Sequence, residues 1–186
     1  MKQALLYSGG VESTLLYYTL LQKATASGAL DLFIVDRYNK PIQKAQTLYY
    51  ILQQSFNDNF STCQILNAPL DLNNTDRMLW AVRELSVYYD EVYWGINAYP
   101  DHIKPKADVF KNPDRKQQNY PALRFPYLNM TKDQVINQYR KYNITWILEY
   151  THSCGEPGTD PCGKCFNCQE REWAYKHLNM TLHRGT

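Results

Sequence analysis

The chain has 186 residues, enough for one domain with a substantial buried core. Its formal net charge is +2, and no basic stripe is strong enough to predict nucleic-acid binding. No apolar run approaches the roughly 20 residues that span a bilayer, and the N-terminus lacks a charged-then-apolar signal pattern. We therefore expect a soluble, cytoplasmic protein that contacts neither a membrane nor nucleic acid directly.

Short apolar runs alternate with longer segments of helical periodicity. The predicted strands are Gln3–Tyr7, Leu32–Val35, Cys63–Leu66, Glu91–Gly95 and the short Trp146–Leu148. The first predicted helix is Val11–Lys23, and the second follows Pro41 and carries Ala45, Leu48, Tyr49 and Leu52. The third runs from a Thr75-Asp76 cap to Tyr88. The fourth runs from a Thr131/Gln134 capping box to Tyr142. This alternation predicts an α/β fold, with a Rossmann-like parallel sheet covered by helices on both faces.

A glycine turn follows the first predicted strand, and it reads Ser8-Gly9-Gly10-Val11-Glu12-Ser13-Thr14. Glycines permit positive φ and let a ligand approach the backbone, while the helix that follows offers unpaired N–H groups to an anion. Ligands of parallel sheets bind beyond the carboxyl ends of the strands, where this turn lies. The turn has neither the lysine of a nucleoside triphosphatase P-loop nor the third glycine of a dinucleotide site, and an ordinary tight turn is the alternative.

Four of the five cysteines lie near the C-terminus with the spacing C-x7-C-x2-C-x2-C, and they are Cys154, Cys162, Cys165 and Cys168. The odd total and the lack of a secretory signal argue against a disulfide cluster. Four thiolates complete the tetrahedral shell of a zinc ion and leave no open position for water. We therefore predict a structural zinc site, and we interpret Cys63 as a small core residue.

The glycine turn resembles the SGGxDS signature of the PP-loop ATP pyrophosphatase superfamily, with Glu12 in place of the aspartate. Together with the cysteines, it makes the chain resemble the 7-cyano-7-deazaguanine synthase family. Further segments similar to that family's motifs are Gly95-Ile96-Asn97, Tyr99-Pro100-Asp101, Phe110, Thr131-Lys132, Ser153-Cys154 and Cys168-Gln169-Glu170-Arg171. The segment Asp36-Arg37-Tyr38-Asn39 departs from the family's usual Asp-Tyr-Gly-Gln.

The resemblance implies a PP-loop ATP-binding domain of the adenine nucleotide alpha hydrolase-like type over residues 1–150. A zinc-binding segment over residues 151–186 would pack on it within a single structural domain. The implied activity is that of an ATP-dependent C–N ligase of queuosine biosynthesis, with ATP and Mg²⁺ as cofactors beside the structural zinc. Adenylated 7-carboxy-7-deazaguanine would accept ammonia, and a second activation of the amide would yield 7-cyano-7-deazaguanine. We also expect a homodimer.

The resemblance also implies roles for individual residues. The predicted ATP-binding residues are Ser8, Gly9, Gly10, Val11, Glu12, Ser13 and Thr14. The predicted catalytic residues are Ser8, Glu12, Ser13 and Lys132. The predicted substrate-binding residues are Gly95, Asn97, Tyr99 and Asp101. Taken without the resemblance, Asn97 is more simply a turn former, Asp101 a solvated charge and Lys132 an exposed residue at a helix start.

Three alternative functions remain open at this point. The first is a variant that stops at 7-amido-7-deazaguanine, which the longer side chain of Glu12 favours. The second is a PP-loop enzyme that thiolates tRNA, although Cys63 has no visible activating neighbour. The third is a non-catalytic zinc module that binds RNA or protein, against which the intact glycine turn argues.

Overall fold

A computed structural model describes residues 1–24, 30–36, 42–100, 120–156 and 161–181. Within these ranges the strands are β1 (Gln3–Leu6), β2 (Leu30–Val35), β3 (Thr62–Leu66), β4 (Glu91–Trp94) and β5 (Leu123–Arg124). The helices are α1 (Val11–Ala24), α2 (Ile42–Ser55), α3 (Asn74–Leu85), α4 (Lys132–Lys141), α5 (Phe166–His177) and a 3₁₀ helix, Thr145–Glu149. No helix in this described part combines the length and the apolar character needed to cross a membrane.

The sheet has the strand order β3-β2-β1-β4-β5, and all its neighbouring strands are parallel. The chain runs outward from β1 to β3 and then continues on the other side of β1 with β4. Leu6 at the end of β1 is in register with Trp94 at the end of β4. The order of the strands therefore reverses beside β1, where open α/β sheets bind their ligands. The predicted Rossmann-like parallel sheet is confirmed.

The two faces of the sheet are covered by different helices. Leu5 and Leu32 belong to a core that also contains residues of α1, α2, α4 and α5. Leu6 and Phe33, their neighbours along the strands, belong to a second core that contains residues of α3. Successive residues of a strand point to opposite faces, so strands buried on both faces read as continuous apolar runs. This explains why β1 and β2, which are buried along nearly their whole length, could be recognised in the sequence.

The predicted strand Trp146–Leu148 is wrong. This segment lies in the 3₁₀ helix Thr145–Glu149, where Ile147 N–H donates to the Ile144 carbonyl and Tyr150 N–H donates to the Ile147 carbonyl. A short apolar run does not by itself distinguish a strand from a buried helical turn. The fifth strand is instead β5, whose two residues are too few to give a periodic signal. Helix α5 was not predicted either.

The boundaries of two helices depend on their N-caps. Thr131 caps α4 with the predicted capping box, and its backbone N–H donates to Gln134 Oε1 over 3.0 Å. Helix α3 begins earlier than predicted, because Asn73 is its N-cap and accepts from the N–H groups of Thr75 and Asp76. It ends at Leu85 rather than Tyr88. Pro41, predicted in the first turn of α2, lies outside the described residues.

A buried carboxylate organises the turn between α2 and β3. Asp58 accepts hydrogen bonds from the Tyr17 hydroxyl at 2.5 Å, and from the N–H groups of Phe60 and Ser61 at 2.9 and 3.0 Å. Burial acts to raise the pKa of Asp58, but the hydrogen bonds from Ser61, Tyr17 and the backbone outweigh it and lower the pKa below the usual 3.8. The ionised carboxylate thus connects α1 to the start of β3.

Candidate functional site

A cavity of about 200 Å³ lies beyond the carboxyl ends of β1 and β4. Leu6 and Trp94 mark the two strand ends in its wall, and the first turns of α1, α4 and α5 contribute Glu12, Lys132 and Asn167. Three helix N-termini therefore meet at one cavity. Because a helix N-terminus carries a partial positive charge and unpaired N–H groups, this arrangement favours an anionic ligand.

The glycine turn forms one side of this cavity and is held by its own hydroxyls. Ser8 N–H donates to Ser13 Oγ over 3.1 Å, and the two serine hydroxyls lie 3.1 Å apart. The Gly10 N–H donates to Ser8 Oγ at 3.3 Å. Ser8, Gly10, Glu12 and Ser13 line the cavity. These predicted site residues are brought together where an anion could meet both hydroxyls and backbone.

The other three predicted ATP-binding residues do not line the cavity. Val11 and Thr14 are fully buried, and Val11 belongs to the main core. Gly9 has a φ of +67°, and a Cβ there would lie 3.0 Å from the Cα of Ala45 in α2. Gly9 therefore allows the positive φ of the turn and the close packing of α2 against it. Any contact of these residues with a ligand would come from the main chain.

Two more distant segments hold the turn in place. His152 donates its N–H to the Gly9 carbonyl over 2.8 Å. The hydroxyl of Tyr139, in α4, donates to the Val11 carbonyl over 2.6 Å. The first intrahelical bond of α1 runs from the Thr14 N–H to the Gly10 carbonyl, so the three preceding amides are not used by the helix itself. The turn is thus tied to α4 and to the segment before the cysteines.

Lys132 stands at the centre of a buried cluster of charges. Its Nζ forms an ion pair with Glu12, and Glu170 Oε2 lies 3.3 Å from the same nitrogen. The three residues are 3%, 8% and 1% exposed, respectively. The exposed position expected of a lysine at a helix start is therefore wrong, because Lys132 is buried against Glu12. The catalytic role predicted for Lys132 stays a prediction. Two carboxylates share one ammonium group.

The burial of this cluster changes the proton affinities of its members. Burial acts to lower the pKa of Lys132, but the carboxylates of Glu12 and Glu170 outweigh it and raise the pKa above the usual 10.5. Burial raises the pKa of Glu170, and Lys132 only partly offsets this effect, while the charge of Glu12 adds to it. Lys132 is therefore held as a cation beside the glycine turn.

The loop after β4 forms another part of the cavity wall. A Cβ added to Gly95 would lie 2.8 Å from Glu12 Cβ and 2.8 Å from Ser13 N, so Gly95 allows β4 to approach α1 closely. Asn97 is buried and donates to Glu170 Oε1 at 2.7 Å. Tyr99 lines the cavity and packs edge-to-face on Phe166, with 4.7 Å between the ring centroids.

The structure therefore brings three of the four predicted substrate-binding residues to the cavity, namely Gly95, Asn97 and Tyr99. The fourth, Asp101, lies outside the described residues, as does Phe110. Asn97 and Tyr99 both line the cavity, where an amide can hydrogen-bond a planar base and an aromatic ring can stack on it. Gly95 contributes close packing, with no side chain to offer.

The four C-terminal cysteines form a group that can hold a metal ion. The sulfur atoms of Cys154, Cys162, Cys165 and Cys168 all lie within 4.8 Å of one another, and none is in a disulfide. Four sulfurs bound tetrahedrally at about 2.3 Å from one ion would be about 3.8 Å apart. The Sγ atoms of Cys154 and Cys165 are separated by 3.9 Å.

Backbone amides already point at these sulfurs. Cys162 Sγ accepts from the N–H groups of Cys165 and Lys164 over 3.2 and 3.4 Å, and these bonds lower the pKa of Cys162 to about 7. Burial raises the pKa of the Cys168 thiol to about 12. A bound cation supplies the charge that would hold such a buried thiol as a thiolate.

Arg171 fastens α5 to the rest of the protein. Its guanidinium donates to the carbonyls of Thr151 and Leu148 over 2.8 and 2.6 Å, and it lies over the ring of Tyr175. The arginine thus supports the segment that leads into Cys154. Cys63 is half-buried against the main core, and burial raises the pKa of its thiol to about 12.

Sequence reasoning missed several residues of the cavity wall, among them His152, Ser153, Asn167 and Glu170. All four flank the metal-binding cysteines in the chain, where the pattern was interpreted only as a metal site. Glu170 stands two residues after Cys168. One feature of the sequence could have revealed these residues. The metal ligands fix the start of α5, so the residues that follow on the inward face of this helix must contact the rest of the protein.

Comparison with known proteins identifies the family. The family described as "Queuosine biosynthesis protein QueC" matches residues 87–179, which is half of the chain. The chain belongs to this family. The match includes the loop after β4, Lys132 and all four cysteines, and the glycine turn precedes it. The predicted relationship to 7-cyano-7-deazaguanine synthases is therefore confirmed.

Two QueC relatives show how far the similarity extends. The 7-cyano-7-deazaguanine synthase of Caldicellulosiruptor bescii is 22% identical over 212 residues, covering 97% of this chain and 95% of the relative. The enzyme of the same name from Prochlorococcus marinus subsp. pastoris is 34% identical over 79 residues, covering 41% of this chain. That match spans only 34% of the relative's own length.

The fold has a counterpart among solved structures. The U34-tRNA thiolase NcsA from Methanococcus maripaludis, solved with its [4Fe-4S] cluster, superposes with a TM-score of 0.55. The superposition covers 96% of this chain and 66% of NcsA, at 14% sequence identity. At this identity the likeness concerns the fold alone, and it agrees with the Rossmann-like α/β fold of this QueC family member.

Proposed function

We propose that this protein is an ATP-dependent ligase that converts 7-carboxy-7-deazaguanine and ammonia into 7-cyano-7-deazaguanine. One observation carries the proposal: Lys132 is buried and paired with Glu12 in a cavity beside the glycine turn, although 120 residues separate the two. A buried lysine and carboxylate beside free helix N-terminal amides suit a bound triphosphate better than a structural role. Membership of the QueC family supplies the substrate class.

A carboxylate does not react with ammonia directly, because it is a poor electrophile with a poor leaving group. In the proposed reaction the acid attacks the α-phosphate of ATP, pyrophosphate leaves, and ammonia displaces AMP to give the amide. The amide oxygen then attacks the α-phosphate of a second ATP, a second pyrophosphate leaves, and loss of AMP and both amide protons gives the nitrile. Such a sequence needs positioning and charge stabilisation more than a covalent nucleophile.

The residues of the cavity suit these requirements. Ser8, Ser13 and the backbone around Gly10 would bind the departing pyrophosphate, and Lys132 would neutralise its charge. Mg²⁺ accepts carboxylate and phosphate oxygens as ligands, and Glu12 would contribute one. Asn97 and Tyr99, which line the same cavity, would hold the deazaguanine ring.

We further propose that the metal at the four cysteines is zinc. Four sulfurs within 4.8 Å of one another match ligands of a single ion. A four-iron cluster gives each cysteine its own iron and therefore needs the sulfurs farther apart. With four protein ligands the ion has no open position, so its contribution is to fold the C-terminal segment onto the cavity.

The test is to incubate the purified protein with ATP, Mg²⁺, ammonium and 7-carboxy-7-deazaguanine and to identify the products by mass. The expected product is the nitrile, with two AMP formed per molecule. Accumulation of the amide with one AMP per molecule would replace the proposal by the amide-forming variant, which the longer side chain of Glu12 favours. ATP that remains unconsumed with every substrate present would refute the ligase function.

A further inference from the structure

Glu170 is a buried carboxylate that belongs neither to the glycine turn nor to the four metal-binding cysteines. It lies on α5, in the wall of the cavity, and is 1% exposed. Each of its carboxylate oxygens has its own donor: Oε1 accepts from Asn97 Nδ2 at 2.7 Å, and Oε2 lies 3.3 Å from Lys132 Nζ. The carboxylate therefore cannot turn without losing one of these two partners.

The contact with Lys132 creates competition inside the cluster. Glu12 and Glu170 both pair with a single ammonium group, and all three groups are buried. If Lys132 had Glu12 as its only partner, the two would form a closed buried pair, in which a carboxylate is poorly available to a cation. With Glu170 present, the cluster has one carboxylate more than it has ammonium groups.

We propose that Glu170 is a positioning residue, which shares Lys132 with Glu12 and so keeps the Glu12 carboxylate available to the Mg²⁺ that accompanies the nucleotide. This inference rests on the proposed function in so far as the ligand is Mg²⁺–ATP. When the phosphates and the cation enter, Glu12 turns to the cation, and Lys132 stays anchored beside the phosphates by Glu170. Asn97 holds the other oxygen of Glu170 and so keeps this anchor in place.

The inference predicts opposite responses to metal-bound and metal-free ATP. Replacing Glu170 by Gln removes the surplus negative charge of the cluster. It also leaves Lys132 paired with Glu12 alone within the cluster. Both changes weaken the binding of Mg²⁺. The same loss of negative charge favours the bare triphosphate anion. A residue with a merely structural role would weaken both forms of the ligand together.

The experiment compares Glu170→Gln with Glu172→Gln by titration calorimetry, using ATP with and without Mg²⁺. Glu172 lies on the same helix but pairs with the exposed Lys176 at 2.9 Å, so its variant removes the same charge outside the cavity. For Glu170→Gln we expect Mg²⁺–ATP to bind about tenfold more weakly, and metal-free ATP to bind at least as tightly as in the parent. Glu172→Gln should match the parent with both ligands.

The remaining outcomes are decisive. Equal weakening of the binding of both ligands by Glu170→Gln, or no weakening of the binding of Mg²⁺–ATP, overturns the inference.

Zinc content and melting temperature show whether each variant is folded. If Glu170→Gln does not fold, Glu170→Asp replaces it: the shorter chain withdraws the carboxylate from Lys132, and binding of Mg²⁺–ATP as tight as in the parent overturns the inference. A parent that binds Mg²⁺–ATP but forms no deazaguanine product refutes only the proposed function, whereas a parent without affinity for ATP refutes both.

Discussion

Lys132 and Glu12 form a buried ion pair that joins the first turns of α4 and α1. The pair places a cation and a carboxylate beside the glycine turn, at the carboxyl ends of β1 and β4. Burying two charges is costly unless each is paired and hydrogen-bonded. The pair lies in the wall of a cavity, where a ligand can reach it, and this is the physical reason to test both residues for function.

The first prediction concerns Glu12. Glu12→Gln keeps the shape of the side chain but removes its charge, so we expect ATP consumption to fall by at least about a hundredfold, each factor of ten corresponding to about 1.4 kcal/mol of barrier. Glu12→Asp keeps the charge and should retain most of the activity. The measurement is the initial rate of AMP formation with saturating 7-carboxy-7-deazaguanine.

The melting temperature of the same two Glu12 variants is the control. If Glu12 serves only to neutralise the buried Lys132, removing its charge breaks a buried ion pair, which costs up to about 3–5 kcal/mol of stability. In that case Glu12→Gln would melt at a lower temperature but would turn over ATP like the parent while folded, and a catalytic role would be excluded.

The second prediction concerns Gly10, which lines the cavity without supporting the core. In Gly10→Val the new Cβ would lie 3.2 Å from Ser8 Oγ and 3.5 Å from the His152 carbonyl. The branched side chain would then occupy the space that the pyrophosphate needs. We expect ATP binding, measured by calorimetry, to disappear while the melting temperature falls by only a few degrees. Unchanged ATP affinity would place the nucleotide elsewhere.

The third prediction contrasts Gly95 with Gly10. A Cβ at Gly95 would meet backbone and Cβ atoms of α1 at 2.8 Å, and these atoms cannot rotate away. We expect Gly95→Ala to destabilise the fold by about 1–3 kcal/mol, as overpacking of a core does, and also to slow turnover because Glu12 is displaced. Chemical denaturation gives the free energy of unfolding. A Gly95→Ala protein as stable as the parent would contradict the close approach of β4 to α1.

The fourth prediction concerns the metal site. Cys168→Ser should lose the bound zinc and destabilise the C-terminal segment, because the apparent free energy of zinc binding to small structural sites is on the order of 10 kcal/mol. Elemental analysis gives the zinc content, expected at one ion per chain in the parent. Cys63→Ser is the matched control, since Cys63 lies in β3 and outside the cysteine group. Full zinc content in Cys168→Ser would exclude the four-cysteine site.

The fifth prediction uses the pH dependence of Asp58. Its pKa is lowered in the folded protein, so its ionised form contributes stability at neutral pH, and this contribution is lost as the pH falls below 3.8 towards the folded-state pKa. At pH 7, Asp58→Asn should be less stable than the parent by about 2 kcal/mol, because hydrogen bonds to a charged acceptor are lost.

The difference in unfolding free energy between the parent and Asp58→Asn should shrink as the pH is lowered towards 3. Asp71→Asn, in the exposed loop between β3 and α3, should match the parent at each pH. A difference that stays constant with pH would mean that Asp58 contributes through shape rather than charge.

Local sequence patterns determined much of this protein. The glycine turn, the four cysteines, the capping box at Thr131 and strands β1 to β4 were all predicted, because each depends on residues that are close together in the chain. A continuous apolar run predicts a doubly covered strand, and closely spaced thiols predict a metal site. The order of these motifs was also sufficient to indicate the QueC family.

Only the tertiary structure decided which side chains meet in the cavity. The sequence alone does not show that Lys132 is buried against Glu12, that Glu170 of α5 is its second partner, or that the segment around Trp146 is a 3₁₀ helix. These features depend on how α1, α4 and α5 pack on one face of the sheet. A buried charge is tolerated only where distant residues supply its partners, so its environment is set by the path of the whole chain and not by its neighbours in sequence.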